Sequence, residues 1–316
     1  MITSDIMKTR TLIAAIVLAL CANMFLTNPA LAEKYVIAVP ALRGLDATNL
    51  GSYLEKMAEI MTKRMGCDVS AQLYVYDYGD SLLEILLKEF GKGKADIGYV
   101  NGLEFVEYAQ SGGSELVPLF MLSMNKKTTM DMCFYGRRGE FSKVSELRGK
   151  NWAGSNVRGA RFLLYKSGFD EPVGKYFSSI RYMSDAPMSA MIALLAKKEI
   201  DVFSAFSTVM KVSGEMNKKD SIVEKLHCEA FEPTWVFVAR KGTPQMRIAE
   251  MRKLMLNSHN DPDFATFKFA FQLIDGKFVP VDEAALKKAE PIISLMQKGG
   301  WKKEDAEFHK KYQHGK

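Results

Sequence analysis

Histidine and cysteine are scarce in this 316-residue chain, four of each. His309 and His314 sit in a charged tail, and His227 and His259 have no partner at metal-ligand spacing. HExxH, CxxC, GxSxG and P-loop patterns are missing, so no signature of a metal, a cofactor or an activated nucleophile calls for catalysis. The expectation is a protein that is not an enzyme: no catalytic residues, no metal site and no cofactor. No basic stripe with interleaved aromatics occurs, which argues against nucleic acid as a partner. No Pro/Ser-rich linker or low-complexity stretch divides the chain, so its halves are expected to exchange strands rather than follow one another as beads.

Two pattern matches dissolve on inspection. Gly91-Lys92-Gly93-Lys94 follows a helical stretch rather than a strand, so its amides would not converge on a phosphate, and it reads as a solvated turn. Ser123-Met124-Asn125-Lys126 fits S-x-x-K, but no KTG accompanies it.

The one long apolar run lies at the N-terminus. Lys8 and Arg10 precede Thr11–Leu26, and Ala30-Leu31-Ala32 supplies small residues for cleavage after Ala32. A run this short falls below the ~20 residues of a membrane span and reads as a secretory signal peptide, residues 1–32. Cys21 raises the alternative of a lipid anchor, but Leu20 before it is large for a lipobox, so periplasmic release is the expectation. The formal net charge of +6 is scattered, apart from a rise at Lys302, Lys303, Lys310, Lys311 and Lys316, as on a solvated surface.

One pattern organises the rest. Leu82, Leu83, Ile85, Leu86 and Phe90 mark a helix, a charged turn follows, and Asp96-Ile97-Gly98-Tyr99-Val100 reads as a buried strand ending at Asn101-Gly102. About a hundred residues on, Met191, Ile192, Leu194 and Leu195 precede Lys197-Lys198-Glu199 and Ile200-Asp201-Val202-Phe203-Ser204. Helix, charged turn, Asp-led strand and polar tip therefore occur twice, the pattern of two α/β lobes. Strands alternate with helices elsewhere too, which argues for parallel sheets with right-handed crossovers. Pro40 is expected to end the first strand. Cys67, Cys133 and Cys228 remain after the signal; either a Cys133–Cys228 bridge between two strands or three free thiols fits that odd count.

Ligand candidates cluster at strand tips, where open α/β sheets hold ligands. The segment Ser155 to Ala160 reads as a loop between a strand and a helix. Its amides, including those of Asn156, Gly159 and Ala160, can face an anion, and Arg158 adds a fork of donors. Asn101 and Gly102 end one strand, and Ser204 and Ser207 lie at the tip of its copy. Tyr76 and Tyr78 are placed to wall a cleft, and Arg43 follows the first strand.

With these segments in place, the chain resembles the phosphate/phosphite/phosphonate-type solute-binding proteins of ABC transporters, within the type II periplasmic binding proteins. The resemblance runs from about Tyr35 to Phe278. It rests on Lys94-Ala95-Asp96-Ile97-Gly98-Tyr99, Leu147-Arg148-Gly149-Lys150, Gly159, Ile200-Asp201-Val202 and Glu232-Pro233-Thr234-Trp235. It implies an α/β fold of two lobes, each a mainly parallel sheet flanked by helices, with the ligand cleft between them. Residues 33–128 and 236–316 would form lobe 1, and 129–235 lobe 2. It also implies a monomer that passes a small ligand to an ABC-type membrane permease.

The resemblance further implies a Ser-Thr-Ser-Gly loop around the phosphonate, and there this chain departs. Asn156-Val157-Arg158-Gly159 stands in its place, Phe105 stands for a tyrosine, and Phe206 for an acid that would meet an amine. Fold and role carry over, while the ligand expected is an organic acid with an apolar part, its charge met by Arg158. A periplasmic ligand-sensing module, a TRAP-type solute receptor and an enzyme built on the same lobes around Cys133 or Cys228 are the competing readings.

Overall fold

The computed structural model describes residues 33–42, 47–76, 80–183, 188–214, 220–265, 267, 271–272 and 274–312. Arg43 and Tyr78, and the whole signal segment, lie outside these residues.

The first lobe begins with β1 (Lys34–Leu42), α1 (Ala47–Met65), β2 (Asp68–Tyr76), α2 (Leu82–Gly91), β3 (Ile97–Val100), α3 (Gly102–Gln110) and β4 (Leu116–Ser123). The chain then crosses to β5 (Thr129–Arg137), β6 (Asn151–Gly154), α4 (Val157–Lys166), α5 (Val173–Tyr176), β7 (Ser179–Tyr182), α6 (Met188–Ala196), β8 (Val202–Phe206), α7 (Ser207–Val212) and β9 (Val223–Pro233). It returns through β10 (Val236–Arg240), α8 (Gln245–Asn257), β11 (Lys277–Val279), α9 (Glu283–Lys298) and α10 (Trp301–Tyr312).

Two sheets result, in the orders β11-β4-β10-β3-β1-β2 and β7-β6-β8-β5-β9. In the first, β1 pairs in parallel with β2 and β3, and β10 enters antiparallel between β3 and β4. In the second, β6 pairs in parallel with β7 and β8, and β5 enters antiparallel between β8 and β9. Four strands of each sheet run the same way; β10 and β11, from the C-terminal segment, oppose them in the first, where β11 pairs antiparallel with β4, and β5 opposes them in the second. The strand expected to end at Pro40 runs on to Leu42. The proline carbonyl accepts the Tyr99 hydroxyl at 2.9 Å, and the register with β2 continues past it.

The repeat seen in the sequence is built to one plan. After α2, Gly93 takes φ 64° and the Lys94 amide reaches back to the Glu89 carbonyl at 3.0 Å. After α6, Lys198 takes φ 61° and Glu199 reaches back to Leu194 at 3.0 Å. Both are left-handed helix stops of the Schellman type. Asp96 then accepts the Val36 amide (3.0 Å) and the Arg240 guanidinium (2.8 Å). Asp201 likewise accepts the Asn151 amide (2.9 Å) and the Arg137 guanidinium (2.8 Å). Each aspartate thus pins a new strand to its parallel neighbour and to the arginine ending the antiparallel one.

Cys133 and Cys228, directly opposed on β5 and β9, form a disulfide, and Cys67 stays free and buried. At the crossings, the Thr234 amide donates to the Thr128 carbonyl at 2.9 Å, so the two connecting segments lie side by side. The C-terminal helix α10 lies against α4: Trp301 (1 % exposed) meets Tyr165, and Phe308 meets Trp152 and Tyr182. Among the described residues, no helix is long and apolar enough to cross a membrane, and no cluster of His, Cys, Asp and Glu is arranged to hold a metal.

Candidate functional site

The strand tips of both sheets open into one cleft of about 1260 Å³. Its first wall is Tyr76 at the end of β2, Ser81 to Glu84 at the start of α2, Asn101 at the tip of β3, and Glu104, Glu107 and Tyr108 on α3. Ser155, Asn156, Arg158, Phe206, Thr208 and Val209 form the opposite wall. Met130, Glu232 and Trp235, on or beside the crossing segments, also line it, and Gln297, Lys302, Asp305 and Ala306 add the C-terminal helices.

Of the residues expected from the sequence, Tyr76, Asn101, Asn156, Arg158 and Phe206 line this cleft. Gly102 does not; a Cβ there would lie 2.5 Å from the Pro233 carbonyl oxygen, so glycine allows α3 to approach the crossing segment. Phe105 is core, and Gly159 and Ala160 are buried. A Cβ on Gly159 would lie 2.6 Å from the Met132 methyl, so that glycine seats α4 on β5. Ser204 is buried within β8, its hydroxyl without a partner, and Ser207, half-buried at the start of α7, does not line the cleft.

The segment read as a loop from Ser155 to Ala160 is already helical from Val157. The Asn156 side chain accepts the Gly159 amide at 2.7 Å, a helix N-cap that brings the first turn forward. Asn101 caps α3 in the same way, accepting the Leu103 amide at 2.8 Å. Ser81 caps α2 by accepting from the Glu84 amide at 3.2 Å. Three helices that point their N-termini at the cleft are thus closed by their own side chains, whereas α7, with Phe206 at its N-cap, has no side-chain cap.

Arg158, expected to meet ligand charge, instead pairs with Asp305 (Nε to Oδ2, 3.1 Å). Lys302 of α10 pairs with Glu107 of α3 at 2.6 Å. Glu104 and Glu232 have no cation within ion-pair distance among the described residues. Burial holds the Glu104 pKa above the ordinary carboxylate value, outweighing the Ser81 hydroxyl, Arg158 and the Leu83 amide, which favour its charge. Glu232, 6 % exposed, is pushed up to about 7 by burial. The Asn101 side chain and Arg158 oppose that rise, and Glu104 adds to it. Burial, with Glu104 nearby, also raises the Tyr76 phenol.

Glu104, Glu232, Trp235, Lys302 and Asp305 were not picked out as site residues from the sequence. Glu232 and Trp235 flank Pro233-Thr234, where β9 passes into β10, and no local pattern shows what faces them. Glu104 stands three residues beyond the Asn101 cap, a spacing that brings it round to the strand tip. Lys302 and Asp305 carry no local signal; only the packing of α10 brings them to the cleft.

A two-lobed α/β receptor with its ligand space between the lobes is the class that these sheets and this cleft define. Residues 45–286 match the family model described as "ABC transporter, phosphonate, periplasmic substrate-binding protein". The chain belongs to this family of periplasmic solute-binding proteins. Among solved structures, PhnD1 from Prochlorococcus marinus in complex with methylphosphonate is similar at TM-score 0.61 and 15% identity, over 84% of this chain and 98% of that one. XAC2383 from Xanthomonas citri bound to ATP gives TM-score 0.61 and 16% identity over 84% and 98%. The periplasmic aliphatic sulphonate binding protein SsuA from Escherichia coli gives 0.54 and 14% over 85% and 88%. No curated protein sequence matches this chain. At such identities the structural likeness speaks for the fold alone.

Proposed function

We propose that the chain is exported, is cleaved after Ala32, and works as a monomeric receptor that closes two lobes over a small organic molecule and delivers it to an ABC permease, without chemical turnover. The observation carrying this reading is the cleft itself, which takes residues from both sheets and from both crossings. Residues 33–128 with those from 236 onward make one lobe and 129–235 the other, with α10 riding on the second. Sheet membership and the packing of α10 on α4 support this division. The lobes are joined at the two strand crossings, tied by the Thr234–Thr128 hydrogen bond, and again where α9 turns into α10, and short connections of this kind suit rigid-body closure.

Calorimetry against a metabolite panel, combined with small-angle scattering, tests the proposal. Binding of a small molecule with a smaller radius of gyration is the expected result. Absence of both binding and compaction would end it. A deletion strain that loses a signalling response but keeps uptake would move the role from transport to sensing.

A further inference from the structure

The charges of the cleft favour a different ligand from the organic acid expected from Arg158. Resting on the solute-receptor reading above, we propose that the group recognised is a cation: a small organic ammonium held by Glu104 and Glu232 between the rings of Tyr76, Phe206 and Trp235.

Three observations carry this. First, the balance of charge is acidic. Asp80, Glu84, Glu104, Glu107, Glu232 and Asp305 line the cleft, against Arg158 and Lys302 among the described residues. Both cations are already paired, with Asp305 and Glu107. An entering oxyanion would share those cations with Asp305 and Glu107 and face the remaining carboxylates. An ammonium disturbs neither pair.

Second, the helix N-termini that could receive an oxyanion are partly filled from within. Asn101, Asn156 and Ser81 each cap their own helix, while the short α7 has no side-chain cap, and Glu104 lies near enough to the Ser81 hydroxyl and the Leu83 amide for both to favour its charge. A carboxylate already stands at the start of α2, where the helix dipole would otherwise attract an anion.

Third, Glu232 is a buried carboxylate facing the cleft with no cation within ion-pair distance among the described residues, Asn101 and Arg158 acting on its charge from nearby. Such a group gains most from a ligand that brings positive charge. Aromatic rings line the same cleft, those of Tyr76, Phe206 and Trp235. Their faces attract a desolvated ammonium, and that attraction is strongest for tryptophan. Together they make a site for a cation with an apolar body, and Phe206, which displaces an acid in the resemblance, becomes part of the ring wall.

The test is calorimetry of the mature protein at pH 8 with four probes: choline, putrescine, methylphosphonate and inorganic phosphate. At least one cationic probe should bind more tightly than both anions. For that probe, Glu232→Gln should weaken binding about ten-fold or more, as loss of a charge-assisted contact does. The Gln side chain keeps shape and hydrogen bonding, and an unchanged circular dichroism spectrum and melting profile at pH 5 would confirm that the variant is folded. Any result in which neither cation outbinds both anions overturns the inference, as does an affinity indifferent to Glu232→Gln. Tight binding of methylphosphonate would overturn it while leaving solute capture intact. Failure of all four probes, together with absence of any small molecule on protein from its own host, would count against solute capture as well.

Discussion

Glu232→Gln should become increasingly stabilising as pH rises. The Glu232 pKa rises from the ordinary 4.5 to about 7 in the folded chain. Burial is the main cause, with Glu104 adding to it and the Asn101 amide and Arg158 opposing it. Folded protein therefore holds this proton between those two values, while unfolded chain releases it. The stability tied to the protonated form is complete below about pH 4.5 and is lost as pH climbs through about 7. At ~1.4 kcal/mol per pH unit the whole change amounts to ~3 kcal/mol. Glutamine carries no titrating proton, so the variant should be close to wild type near pH 5 and more stable at pH 8 by up to ~3 kcal/mol. Urea unfolding followed by tryptophan fluorescence at pH 5, 6, 7 and 8 measures this, with the disulfide intact. With a urea slope of ~3 kcal/mol/M, the midpoint of the variant should sit up to ~1 M higher at pH 8. Glu104 titrates in the same direction but is present in both proteins, so it largely cancels from the difference. Parallel pH profiles for the two proteins would refute the burial argument for Glu232.

Other outcomes follow from the same geometry. Loss of the Cys133–Cys228 bridge, by double serine substitution or by reductant, should lower stability by ~2–4 kcal/mol in urea titration; insensitivity to reductant would place both thiols apart in solution. Gly102→Ala pushes a methyl group onto the Pro233 carbonyl oxygen and should cost ~1–3 kcal/mol in a thermal melt, whereas a neutral change would mean that the crossing segment yields freely. Asp96→Ala should cost ~1–3 kcal/mol in urea titration, because it leaves the Val36 amide and the Arg240 guanidinium without the acceptor they share; a neutral change would show that water replaces that acceptor without cost.

Much of the fold was legible because it rests on local signals repeated twice. Asp96 and Asp201 stand out as polar residues opening apolar strands, and each does the same work, binding an amide at the head of one neighbour and an arginine at the end of another. Gly93 announces a left-handed stop, whereas Lys198 makes the same stop with a residue that gives no such warning. The cleft was half legible. Tyr76, Asn101, Asn156 and Phe206 sit at element ends, where a sequence pattern points. Arg158 was placed correctly in the cleft, but its partner could not be seen, since Asp305 is 147 positions away in the chain and arrives only with the packing of α10. Gly102 and Gly159 were read as ligand approaches and turn out to be packing contacts, since a missing Cβ looks the same in sequence whichever neighbour fills the space. Glu104 and Glu232 were passed over because their meaning lies in burial and in each other's field, which neither neighbour in sequence records.

Native mass spectrometry of the protein purified gently from its own host tests the central claim most directly. Capture of a solute between the lobes predicts one small molecule on each monomer, released when the chain unfolds. A bare monomer mass, unchanged after incubation with a host metabolite extract, would contradict it.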